Sequence, residues 1–145
     1  IGRGSLQRRL SRLANSLGIS ENVTFEPGMG FEEIAEVYRA ADLVVYPSYY
    51  EGQGLIPLES MASGTPVVTV DHGPLPEMVD DTVGRLFEMG NAGSMANAVL
   101  FELSSKADLR SKGAVGRKRV LDRFTLEGNA EAFLGAYGRA IESLE

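Results

Sequence analysis

The 145-residue sequence has no cysteine, so it carries neither a disulfide framework nor a thiolate metal site. It has one histidine, His72, which excludes a histidine-rich metal cluster. No apolar run approaches the roughly 18 residues that a membrane-spanning helix needs. Positive charge is in deficit: the net charge of −6 argues against a general nucleic-acid footprint. No Gly-x-Ser-x-Gly elbow is present, which counts against a serine hydrolase. No Asp-x-Asp pair points to a bound metal, and none is expected. Nothing at the start reads as a secretory signal. The expected setting is therefore cytoplasmic, with the inner membrane face as a variant. The chain opens abruptly on Ile1, and the expectation is that the upstream part of a longer protein is missing.

What is present is an ordinary apolar share of 43%, enough for a real core in a chain of 145 residues. Leu6, Leu10, Leu13 and Leu17 recur at helical spacing over 5–17, with Gly18 as the stop. "NVTFEP" (22–27) predicts a short strand and "FEEIAEVYRAA" (31–41) a helix. "DLVVYPS" (42–48) is a continuous apolar run, the pattern of a strand buried on both sides. A short helix over 55–63 follows, stopped by Gly64, and then a second buried strand over 65–70. A helical turn (74–80), a strand (84–89) and helices over 92–106, 107–124 and 125–144 complete the chain. The last of these sets Leu126, Phe133, Tyr137, Ile141 and Leu144 on one side. Strands alternating with helices imply an α/β fold around a parallel sheet.

In open sheets of this kind, ligands bind beyond the carboxyl ends of the strands. Glycines gather there: "PGMG", "PSYYEGQG" and "DHGP" each follow a predicted strand. The stretch "EGQGLIPLE" (51–59) is the most telling. Gly52 and Gly54 leave the backbone bare for close approach. Pro57 is tolerated only in a first helical turn, so a helix starts near Leu55. Its free N–H groups and dipole make an anion site. Glu51 before the helix and Glu59 inside it flank that site, and carboxylates accept hydrogen bonds from sugar diols. The bland alternative is a plain turn, with Glu59 only complementing the helix dipole.

"YPSYYEGQGLIPLESMASGTPVV" resembles the signature of the retaining glycosyltransferases of the GT-B group, family-4 type. The matching residues are Pro47, Ser48, Glu51, Gly52, Gly54, Leu55, Glu59, Met61, Ala62, Gly64, Pro66, Val67 and Val68. "NVTFEPGMGFEEIAEVYRAADLVVYPS", "DHGPLPEMVDDTVGRLF" and "RFTLEGNAEAFLGAY" extend the likeness over nearly the whole chain. Gln53 departs from it, standing where an apolar residue is frequent.

The resemblance implies a Rossmann-like sheet with flanking helices, the C-terminal half of a GT-B fold. Residues 1–145 would be the nucleotide-sugar-binding C-terminal domain, truncated at its N-terminus, with the acceptor domain absent. It implies that a sugar passes from a nucleoside-diphosphate sugar (UDP-, GDP- or ADP-linked) to a hydroxyl of a carbohydrate or lipid-linked acceptor, with retention. No separate cofactor is implied. By the resemblance, Glu59 holds the donor ribose and the amides of Gly54, Leu55 and Ile56 meet the diphosphate. Glu51 faces the donor sugar as the catalytic candidate. Ser48, Gly52 and Gln53 line the same loop, and Gly28 and Met29 lie near the base. The family's basic Arg/Lys pair, two strands and the acceptor domain would all precede Ile1, so the fragment is expected to be inactive alone.

Other features have paired readings. His72 is either a contact at the cleft or a locally bonded loop residue. "KGAVGRKR" (112–119) is either a peripheral membrane contact or the solvated face of a helix. Tyr49 and Tyr50 either stack on a sugar or pack at a loop base, and Glu77 reads as a cap. Two rival functions are a non-catalytic nucleotide-sugar module and a sugar-nucleotide epimerase of the same architecture.

Overall fold

Helix and strand alternate through the computed structural model, which describes residues 1–143. Two units form, one over Ile1–Ile34 and one from Ala35 onward.

In the first unit, α1 (Gln7–Ser16) follows the leucine spacing. It stops where Gly18 turns left-handed (φ +68°) and donates its N–H to the Asn15 carbonyl at 3.0 Å. The stripe of Leu6, Leu10, Leu13 and Leu17 is exposed; on α1 only Ala14 is buried. The strand expected at 22–27 does not form. A single 3-10 turn (Ser20–Asn22) leads into irregular chain. A strand needs a ladder, and here Gly2 N–H to Glu26 O, at 2.8 Å, stands as an isolated bond. α2 (Phe31–Ala40) then runs on into the second unit.

The second unit holds a three-stranded parallel sheet in the order β1 (Val44–Tyr46), β2 (Val67–Val70), β3 (Gly84–Phe87). Val44 pairs with Val67, and Val67 with Gly84. Every residue of β2 is buried, as its run of branched side chains predicts. β1 is only half-buried, because it borders the sheet instead of lying inside it. Side chains alternate across β2. Val67 packs with Leu58 and Met61 of α3 (Leu55–Ala62) and with Met78, Val79 and Val83. Val68 and Val70 pack on the opposite face with Leu75, Phe87 and Ala98 of α5 (Ala92–Leu103). Leu75 and Met78 belong to the short α4 (Leu75–Met78).

α6 (Lys106–Arg123) lies close on α3 because two of its residues have no side chain. A Cβ at Gly113 would stand 2.0 Å from the Gly64 carbonyl oxygen, and one at Gly116 3.1 Å from Met61 Cγ. α7 (Leu126–Glu142) is capped by Thr125, yet none of its residues is buried. Phe133, Tyr137 and Ile141 share the expected side, all exposed; Leu144 lies outside the described residues.

Candidate active site

The site is built where β1 ends and α3 begins. Gly54 caps α3 in the left-handed region, at φ +81°. A Cβ there would also come within 2.7 Å of Leu75 Cδ2, but that is the tip of a side chain that can shift, so it is the conformation that asks for glycine. The bare backbone at Gly54 is thus required by the fold itself. Gly52, by contrast, faces open space. Pro57 is the third residue of α3 and has no N–H to offer. The amides at the mouth of the helix are therefore those of Gly54, Leu55 and Ile56. No capping side chain from Gly54 covers them.

Glu51 reaches back onto this mouth. Its Oε2 accepts the Gly54 N–H at 3.0 Å, and its Oε1 accepts the hydroxyl of Tyr46. Glu59, one turn into α3, accepts the Tyr38 hydroxyl on Oε2 at 3.1 Å. Both glutamates are half-buried, and within their unit no cation pairs with either. Each phenol pays electrostatically for this proximity. Burial first, then the charge and hydrogen bond of Glu59, then Tyr46, push the Tyr38 hydroxyl up to about 12. Burial, followed by the bond to Glu51, raises Tyr46 as well.

Of the residues singled out from sequence, Ser48, Glu51, Gly52, Gln53, Gly54, Leu55, Ile56 and Glu59 all fall on this one loop and helix start. Ser48 turns its hydroxyl into its own loop, donating to the Tyr50 carbonyl at 3.1 Å. Gln53 is exposed. Gly28 (φ +129°) and Met29 belong to the first unit, where the Arg3 side chain donates to the Pro27 carbonyl at 2.7 Å. Tyr50 is 93% exposed, so it does not pack at the loop base. Tyr49 lines a cleft of about 150 Å³ with Pro47, Val70, Phe87 and Met95. His72 is exposed beside Asp71 and Glu88, on a cavity of about 370 Å³. Sequence reasoning missed Tyr38 and Tyr46. Their hydroxyls matter through partners 21 and 5 residues away, a relation that helix and strand periodicity does not encode.

The basic run 112–119 is tied up internally. Lys112 and Arg85 both bind the buried Glu102, at 2.7 and 3.0 Å. Arg119 bonds Asp80, Thr82 and the Met78 carbonyl. Arg117 bonds the Ala62 carbonyl, and Lys118 pairs with Asp122. Among the described residues no helix is long and apolar enough to cross a membrane.

Known proteins resemble this chain over most of its length. The family model described as "Glycosyl transferases group 1" matches residues 1–119. A D-inositol 3-phosphate glycosyltransferase of Mycobacterium leprae is 42% identical over 137 residues, covering 91% of this chain. The chain spans only 31% of that relative. Sucrose-phosphate synthase from Thermosynechococcus elongatus superposes with a TM-score of 0.83 at 32% identity, over 98% of this chain and 37% of its own. Staphylococcus aureus TarM, solved with fondaparinux, alpha-GlcNAc-glycerol and UDP, superposes with a TM-score of 0.80 at 26% identity, over 91% and 27%.

Proposed function

Because this chain belongs to the group 1 glycosyl transferases, we propose that it supplies the donor-binding, C-terminal half of a two-domain retaining enzyme. The reaction moves a sugar from a nucleoside diphosphate to a hydroxyl of a carbohydrate or polyol acceptor. UDP is the first candidate nucleotide, since it accompanies TarM. The name of the mycobacterial relative makes a phosphorylated polyol a reasonable acceptor class.

The observation that carries this reading is the pair Glu51 and Glu59, half-buried, uncompensated by any cation of their unit, and bracketing the open amides of Leu55 and Ile56. Amides and the helix dipole receive the diphosphate. Glu59 accepts from the ribose diol and Glu51 from the donor sugar. As the glycosidic bond breaks, negative charge collects on the departing diphosphate. Preorganised donors that meet it there lower the barrier. The acceptor hydroxyl attacks on the face the diphosphate leaves, and the leaving phosphate takes its proton, so configuration is kept. Glu51 positions the sugar in this scheme and forms no covalent bond.

Calorimetric titration of the chain with UDP, GDP and ADP tests the reading. Saturable binding of one nucleotide, weakened about tenfold by Glu59→Ala, is expected. Binding indifferent to Glu59 would remove the ribose role. In the full-length enzyme, full turnover by Glu51→Gln would remove any essential part for Glu51.

A further inference from the structure

We infer that Tyr38 and Tyr46 are positioning residues, each fixing one carboxylate of the Glu51/Glu59 pair and each braced in turn by a threonine next to or on β2; this rests on the donor-site reading above. The arrangement repeats. The buried Thr65 donates its hydroxyl to the Tyr38 carbonyl at 2.5 Å, and Tyr38 donates its own to Glu59 at 3.1 Å. The buried Thr69 donates to the Tyr46 carbonyl at 2.9 Å, and Tyr46 donates to Glu51. Thr69 and Tyr46 also stand opposite each other in the parallel register. Two runs of contact therefore reach from β2, and from Thr65 just before it, to the backbone of a tyrosine whose phenol bonds a carboxylate.

The choice of partner has a chemical consequence. A lysine would orient a carboxylate but neutralise it. A phenol orients one oxygen through a single hydrogen bond and leaves the charge and the remaining lone pairs for a ligand. Tyr46 has a second effect. With one oxygen of Glu51 held by its hydroxyl, the other lies on the Gly54 N–H, an amide that the diphosphate is proposed to use. Glu51 thereby occupies the anion site until donor arrives, and Tyr46 sets where it returns. The bland alternative is that both bonds simply staple α2 to α3 and β1 to its loop.

Binding of UDP, UDP-glucose and UDP-N-acetylglucosamine to the chain separates these. Tyr38→Phe is expected to weaken UDP roughly three- to tenfold, and to change affinity less than about twofold when added to Glu59→Ala, because it acts only through that carboxylate. Tyr46→Phe, which loosens Glu51 from its place on the Gly54 amide, is expected to shift the ratio of UDP-sugar to UDP affinity by about threefold or more. Leu109→Ala, a buried position on α6 outside both apolar clusters, controls for lost stability and should not move either quantity. If Tyr38→Phe is additive with Glu59→Ala, or Tyr46→Phe leaves both ratios untouched, the tyrosines are staples and the inference fails while the donor site stands. If the wild-type chain binds none of the three probes, both fall together.

Discussion

Glu102 on α5 and Glu59 on α3 are both shielded carboxylates, but the first is gripped by a lysine and an arginine while the second rests on a phenol. The Glu102 side chain is 1% exposed, and Arg85, which also lies 3.9 Å over the Phe101 ring, closes one side of it. Its charge is cancelled where it sits, and nothing remains to offer a ligand. Glu59 and Glu51 are oriented without being cancelled. The contrast separates carboxylates that hold the fold from carboxylates held by the fold, and it does so by partner chemistry as well as by depth.

The largest test of that contrast is Glu102→Gln. It strands Lys112 and Arg85 against a neutral amide and should cost about 3 kcal/mol of unfolding free energy, read as a lower urea midpoint. Nucleotide affinity should not change in the fraction that stays folded.

Next is alkaline pH. Tyr38 keeps its proton in the folded state up to about 12, against an ordinary 10. The folded chain therefore holds that proton more tightly than the unfolded chain. Its contribution is complete below pH 10 and fades as pH rises from about 10 to about 12. Urea midpoints across that window should fall less steeply in Tyr38→Phe than in the wild-type chain.

Glu59→Gln should be milder, below about 1 kcal/mol, because one hydrogen bond to a phenol is exchanged for another. A loss as large as that of Glu102→Gln would erase the distinction between the two regions.

The smallest effect concerns Asp80. Burial alone would raise its pKa, but hydrogen bonds from Thr82 and Arg119 outweigh burial and hold it below the usual carboxylate value. Its stabilisation is present above the ordinary carboxylate range and is lost as pH falls through the lowered folded value. Arg119→Met should narrow the difference in melting temperature between pH 6 and pH 3. The change should be slight, since the Asp80 side chain is 54% exposed.

Much of this molecule was legible in its residues. The run Val67–Val70 announced a buried strand, and Pro57 placed the start of α3 near Leu55, where it lies. The Glu51–Glu59 stretch was found because glycine, proline and acid occur there together. Other features were hidden for physical reasons. "NVTFEP" has strand composition, but a strand exists only with a partner. The run 112–119 read as a surface patch because charge was counted before spacing. Gly113, Gly116 and Val120 mark its packed face, with Lys112 and Arg119 beside them, and that interval was the available signal. Glu102 looked like any helical glutamate, because its two cations come from β3 and α6.

The mouth of α3, where no cation of its unit pairs with Glu51 or Glu59, also determines how this chain should respond to electrolyte. A phosphate pocket lined with arginine or lysine weakens as salt is added, because ions screen an attraction. Here the donors at the mouth are amides, and the carboxylates that flank them in the same unit, Glu51 and Glu59, share the sign of the incoming diphosphate. Added salt screens a repulsion instead. The expected response of nucleotide affinity is flat or rising with ionic strength, so in this chain a pocket for a polyanion would behave toward salt as though its guest were uncharged.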